Sequence, residues 1–93
     1  MGKVAYRDIP ALIASGFSFQ GNSMSGYVEK DGTYTVKSYR TVILEVNFAS
    51  GEAWLNTQKY SPTTSHHQSV CKHGLRMADI EKVTDFEGER LTV

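Results

Sequence analysis

Tyr34, Val36, Val42, Leu44, Val46 and Phe48 are all even-numbered, so an apolar stripe runs with a period of two along this part of the chain. Successive side chains in a strand point to opposite faces, and residues of one parity therefore share a face. The phase holds across Tyr39-Arg40, in the middle of the run. A two-residue turn at that point would set Val36 opposite Ile43 and send half the stripe to the wrong side. One straight strand from Thr33 to Phe48 would be ~50 Å long at about 3.3 Å per residue. A compact domain of this size is only ~30 Å across. The pattern thus predicts a strand that bends sharply near Ser38–Arg40 and serves a hairpin on each side.

The first hairpin turns at Asp31-Gly32, a pair suited to the positive φ of tight turns. That turn sets Tyr27 opposite Val36 and Glu29 opposite Tyr34, with Val28 and Thr35 on the other face. The second turns at Ser50-Gly51, with Phe48 opposite Ala53 and Val46 opposite Leu55. Val42, Leu44, Val46, Phe48, Ala53 and Leu55 form the strongest core candidate. Gly21-Asn22-Ser23-Met24-Ser25-Gly26 lacks the lysine and following helix of a phosphate loop, and reads as a bulge or irregular edge of the first strand.

Two helices complete the expected fold. Asp8–Gly16 has a capping Asp8, Pro10 in the first turn and Gly16 as a left-handed stop, with Ile9, Leu12 and Ile13 on one face. A second helix is expected from about Ser65 to His73, capped by Thr63 or Thr64, with Gln68 completing a capping box and Gly74 ending it. His67, Val70, Cys71 and Gly74 share its inward face. The expected class is α+β: one domain over residues 1–93, with a curled antiparallel sheet of about four strands covered by two short helices. Leu75 to Val93 is ambiguous, with a strand-like Val83–Phe86 and a turn at Glu87-Gly88.

Ten basic and ten acidic residues cancel, so the chain as a whole is no polyanion binder. The charge is uneven all the same. Lys59, Lys72 and Arg76 stand unopposed between Ala53 and Ala78, whereas 79–93 carries Asp79, Glu81, Asp85, Glu87 and Glu89 against Lys82 and Arg90. The single Cys71 allows no internal disulfide. No apolar run reaches the ~18–20 residues of a membrane span, and the first residues lack an apolar signal core. A soluble, intracellular protein is expected.

All three histidines and the cysteine fall between His66 and His73. A closed zinc site needs four ligands, and packing explains His67 and Cys71 better. No metal or cofactor is expected. Cys71, in mid-helix beside Val70, reads as a small apolar filler rather than an activated nucleophile. The Thr and Ser cluster is accounted for by helix capping, and no enzymatic activity is expected. The helix start, with Thr63, Thr64, Ser65, His66 and Lys59 nearby, suits phosphate, and Trp54 on the face opposite the core suits a stacked base.

Gly21–Ser25, Tyr34–Ile43, Trp54–Asn56 and Tyr60–Gln68 together resemble a family of small phage and prophage proteins of uncharacterised function. The resemblance spans about residues 17–68, and its most specific part is Thr63-Thr64-Ser65-His66-His67-Gln68. It implies Arg or Lys where this chain has His66. A phosphate contact there would be weaker and pH-dependent, because a free imidazole titrates near ~6.5. The acidic 79–93 segment lies outside the resemblance.

The resulting expectation is a non-enzymatic phage accessory protein of the host cytoplasm. It would bind a host or phage protein, with inhibition of host defence as one outcome. Trp54, Lys59, Tyr60, Thr63, Thr64, Ser65, His66 and Arg40 would form the contact surface, an aromatic anchor with a polar, cationic rim. The alternative is a small nucleic-acid-binding regulator using the same face. Self-assembly through a sheet edge is a third route.

Overall fold

The computed structural model describes residues 3–88. Six strands lie side by side in chain order: β1 (Phe19–Gln20), β2 (Met24–Val28), β3 (Tyr34–Ser38), β4 (Thr41–Asn47), β5 (Glu52–Asn56) and β6 (Lys82–Phe86). The first five are antiparallel, and β6 joins β5 in parallel. Helix α1 (Ile9–Ser15), entered through a 3-10 turn at Tyr6–Asp8, packs on helix α2 (Pro62–Met77). Ile9 and Ile13 of α1 and Val70, Cys71 and Leu75 of α2 close a core with Val36, Leu44, Val46, Ala53 and Leu55. The α+β class and the two helices match expectation. The sheet is corrected from about four antiparallel strands to six in a mixed sheet. The extra strands are a two-residue edge, too short to announce itself, and β6, which coincides with the strand-like Val83–Phe86 but is exposed from Lys82 to Asp85 and joins the sheet in parallel.

The predicted bend at Ser38–Arg40 is instead a tight hairpin, with Ser38 opposite Thr41 and Lys37 opposite Val42. The register then shifts, and Val36 faces Leu44. Ile43 is the extra residue of a β-bulge in β4. A two-residue turn inverts the phase of the stripe and a one-residue bulge restores it. The apolar alternation is satisfied by two local devices in place of one long bent strand. The longest dimension of the molecule is 31 Å, as compactness required.

Both other loops are longer than expected. Glu29 N–H bonds Thr33 O and Gly32 N–H bonds Glu29 O, leaving Lys30-Asp31-Gly32 as a three-residue loop with Gly32 at φ +92°. Asp31 Oδ1 accepts from Thr33 N–H at 2.9 Å, which holds the Asp31 carboxyl below its ordinary pKa. The register slips by one, so Gly26 rather than Tyr27 faces Val36. The glycine is required there: a Cβ would stand 2.4 Å from the Phe19 ring and 2.7 Å from Tyr34 Oη. In the second hairpin Val46 faces Ala53 and Leu44 faces Leu55, a slip of two that preserves the face. Phe48 moves into the loop, where its ring lies 5.9 Å from that of Tyr34. Gly21–Ser23 is a turn between β1 and β2, closed by Gly21 N–H to Met24 O, and Met24–Gly26 belongs to β2, so the segment is neither a bulge nor an irregular edge of one strand.

Helix α1 ends as expected, with Gly16 at φ 70° and Phe17 N–H returning to Leu12 O. Asp8 precedes it without a side-chain cap. Helix α2 is longer at both ends than expected. Ser61 is its N-cap, accepting from Thr64 N–H at 3.1 Å, and Pro62 opens the first turn. Its left-handed stop falls on Asp79 (φ 62°), with Ile80 N–H bonding Leu75 O. Gly74 lies inside the helix, where α1 crosses. A Cβ on it would sit 2.8 Å from Ile13 Cβ and Cγ2 and 3.2 Å from Pro10 O. Glu89 and Arg90 of the acidic segment lie outside the described residues.

Gly74→Ala removes a helix-disfavouring residue yet is expected to destabilise the protein by about 1–3 kcal/mol, because the α1–α2 contact has no room for a methyl group. Urea denaturation of the variant against the parent checks this.

Candidate functional site

His67 is fully buried, and its two ring nitrogens make three polar contacts. Its place follows from the periodicity of α2: His67, Val70, Cys71 and Gly74 lie on the inward face. Nδ1 is 2.6 Å from Ser38 Oγ at the end of β3, and Nε2 is 3.0 Å from Tyr6 Oη and 3.3 Å from Ser23 Oγ. Ser38 Oγ lies 3.1 Å from Thr64 Oγ1, which in turn accepts from Ser61 Oγ at 3.2 Å. Tyr6 Oη and Ser23 Oγ are 3.2 Å apart. One imidazole therefore joins the 3-10 turn, the β1–β2 turn, the β3–β4 hairpin and the start of α2. Burial, and then the neighbouring His66, hold the His67 pKa below the ordinary histidine value, so the ring is neutral. Cys71, one turn on, lies wholly in the core, and burial pushes its thiol up, opposite to the shift of a reactive cysteine.

Above this network lies an open cleft of about 730 Å³ lined by Tyr6, Asn22, Ser23, Tyr39, Pro62, Thr63 and His66. A second depression of about 360 Å³ continues past Tyr39 to Arg40, Gln20 and Ser25. The Tyr6 ring meets His66 edge-on at 5.0 Å and His67 at 5.5 Å, and the Tyr39 ring is 6.2 Å from His67. Tyr39 is 61% exposed and occupies the first position of the β3–β4 turn with φ 56°. Its N–H is tied to Ser23 O at 2.7 Å. A left-handed backbone is ordinary for Gly and uncommon for a bulky residue.

The structure gathers some of the sequence-derived site residues here and leaves others elsewhere. Thr63 and His66 line the cleft, Arg40 lines the adjoining depression and Thr64 is buried beneath. Ser65 is exposed in the first turn of α2, with its N–H bonded to Ser61 O. Trp54 is half-buried on β5, opposite Glu45 rather than beside Asn47, because the hairpin is two residues out of the expected register. Lys59 and Tyr60 are exposed in the segment before α2, and Tyr60 Oη accepts from Asn56 Nδ2 at 3.1 Å. None of these last three lines the cleft. Tyr6, Asn22, Ser23 and Tyr39 do, and periodicity gave no sign of them. The segments Gly21–Ser25, Ser38-Tyr39 and Ser61–Gln68, far apart in the chain, meet around this cleft.

No protein-family model matches the chain, and neither does any curated protein or solved structure.

The lowered pKa of His67 has a definite sign in stability. The unfolded chain binds a proton near pH ~6.5 that the folded chain refuses, so folding is favoured above that pH and loses ground as pH falls below it. The groups facing the imidazole are Tyr6, Ser23, Ser38, Tyr39 and His66. Denaturation midpoints between pH 8 and 5 are expected to fall more steeply for the parent than for His67→Gln, which has nothing there to titrate.

Proposed function

We propose that this chain is a phage or prophage accessory protein that acts by binding, in the host cytoplasm, and that its partner is a host protein whose activity it restrains. The observation that carries the reading is Tyr39. An exposed aromatic ring is held at positive φ, in a turn where Gly would fold with less strain, at the meeting point of two depressions. Strain of this kind persists where the surrounding structure over-determines it, and it clusters at functional positions. Around Tyr39 stand Tyr6, His66 and Arg40. Tyrosine and arginine are among the residues that dominate binding energy at protein interfaces. The relevant face is thus the Tyr6–Tyr39–His66 cleft, with Thr63 on its rim, rather than the Trp54 side of the sheet. Among the described residues no helix is long and apolar enough to cross a membrane.

One observation favours the second reading, a nucleic-acid regulator. Tyr39 and Arg40 share the smaller depression with Gln20, Asn22 and Ser25, a ring and a cation among amide and hydroxyl groups. A single-strand binder would use such a set for stacking and phosphate contact. Its affinity would fall with about one unit of log–log salt slope per phosphate contact.

The Tyr39→Gly variant separates the use of this residue from its effect on folding. Stability is expected to stay level or rise, as the left-handed position becomes unstrained. Capture of the partner from host lysate is expected to fail. A stoichiometric protein that survives nuclease, held by the parent and lost by Tyr39→Gly, supports the proposal. A partner held equally well by both overturns it, and nucleic acid that carries any bound protein away on nuclease treatment favours the second reading.

A further inference from the structure

The hydroxyl chain behind the cleft has one direction that satisfies its buried members. Ser61 Oγ accepts from Thr64 N–H and donates its own proton to Thr64 Oγ1. Thr64 is 3% exposed, and the acceptor for its hydroxyl proton is Ser38 Oγ, 3.1 Å away. Ser38, 1% exposed, therefore accepts from Thr64 and sends its proton to His67 Nδ1. The reverse direction would strand the Thr64 proton in the interior, and native proteins rarely leave a buried hydroxyl so. A neutral imidazole with an acceptor Nδ1 carries its proton on Nε2. Nε2–H faces Tyr6 Oη and Ser23 Oγ, which are also within reach of each other. Whichever hydroxyl accepts from His67 has the other within reach as an acceptor for its own proton, which leaves one hydroxyl proton free to turn into the cleft.

We propose that this floor is a binding site for an anionic oxygen, carried by a phosphate ester or a carboxylate. The inference rests on reading this face as the binding surface and names the chemical group it takes. Beneath the cleft the ligand meets a donor backed by the relay Ser61, Thr64, Ser38, His67, Tyr6 and Ser23. On the rim, Thr63 and Asn22 add a hydroxyl and an amide. No Asp or Glu lines either depression, and Arg40 lines the second. An anion therefore enters without like-charge repulsion from the lining. The same proton count argues against a hydrolytic use of Ser23. Nε2 already bears its proton, so His67 is not poised to take one from the Ser23 hydroxyl.

The test is made on the full chain with 15N-labelled histidine. Long-range 1H–15N spectra at neutral pH are expected to show His67 protonated at Nε2 and bare at Nδ1; a proton on Nδ1 overturns the proposal. Inorganic phosphate and acetate are then titrated separately, following the backbone amides of Asn22, Ser23 and Thr63. Saturation by at least one is expected, and which one identifies the oxyanion; saturation by neither overturns the site. The Tyr6→Phe, Ser23→Ala double variant removes both terminal hydroxyls and is expected to weaken binding about tenfold or more. Should it fail to fold, Ser23→Ala alone is expected to weaken binding severalfold, and unchanged affinity in the folded variant overturns the proposal. Partner capture by Tyr39→Gly is a separate readout. Anion binding without a protein partner would leave this site standing while removing the protein-binding reading.

Discussion

Ile43, inserted where β4 bulges, is the constraint on which the rest of the fold turns. The β3–β4 hairpin closes through two residues, and that turn alone would leave Leu44 and Val46 on the solvent side while Val36 and Ser38 faced the helices. The added residue brings Leu44 and Val46 back under α2, and both are fully buried, as is Ile43. The turn keeps its tightness and the core keeps its continuity. Ser38, the last residue of β3 in the core phase, reaches α2 at the level of His67 as a result. Apolar packing and the polar network are thus two consequences of one register.

Consecutive residues of α2 then fasten the helix to opposite parts of the sheet. His67 binds the end of β3 and the β1–β2 turn. Gln68 Nε2 donates to Asn56 O at 2.8 Å and Gln58 O at 2.9 Å, at the end of β5. Asn56 extends that side, its Nδ2 reaching Val42 O and Gly88 O. No buried side-chain nitrogen or oxygen among the described residues lacks a partner. A fully satisfied polar network fixes one arrangement, because any slip of the helix would leave several buried groups without partners. Apolar contacts between α2 and the sheet would tolerate such a slip far better. The His-Gln pair therefore defines where the helix sits, and Gly74 defines how closely α1 crosses it.

Much of this was legible in the residues, through periodicity. The alternation identified Tyr34, Val36, Leu44 and Val46 as core, while Val42, paired with Lys37 ahead of the bulge, and Phe48, exposed in the loop, fall outside it. The 3.6-residue period identified His67, Val70, Cys71 and Gly74 as inward-facing. Cap chemistry placed Gly16 correctly. It misplaced the start of α2, because Ser61, Thr63, Thr64 and Ser65 are all competent caps and only the extended backbone of Ser61 distinguishes it. Gly74 resembles a helix stop in the sequence because glycine at a helix end and glycine at a helix crossing look alike without the partner helix. The bulge was illegible for a related reason: Val42, Ile43 and Leu44 are all apolar, so no break in the pattern marks the extra residue. Of the site, Thr63, His66 and Arg40 were in reach of sequence reasoning. Tyr6, Ser23 and Tyr39 were not, since they come from three separated turns that only the folded chain brings together.

Tyr39 shows how the scaffold and the surface are connected. Its backbone is pinned by the Ser23 carbonyl on one side and by the hairpin on the other, so the left-handed conformation is imposed by structure that exists for other reasons. The strain is therefore supported by the β3–β4 turn and the β1–β2 turn together. The same Ser23 presents its hydroxyl to His67, so the ring of Tyr39 and the floor of the cleft share one anchor. On the proposed reading, a ring fixed in this way would lose little freedom on binding, and more of the contact energy would remain as affinity. The polar core thus does two things: it fixes the helix on the sheet, and it holds an aromatic ring and the hydroxyls of Tyr6 and Ser23 in one fixed arrangement at the cleft.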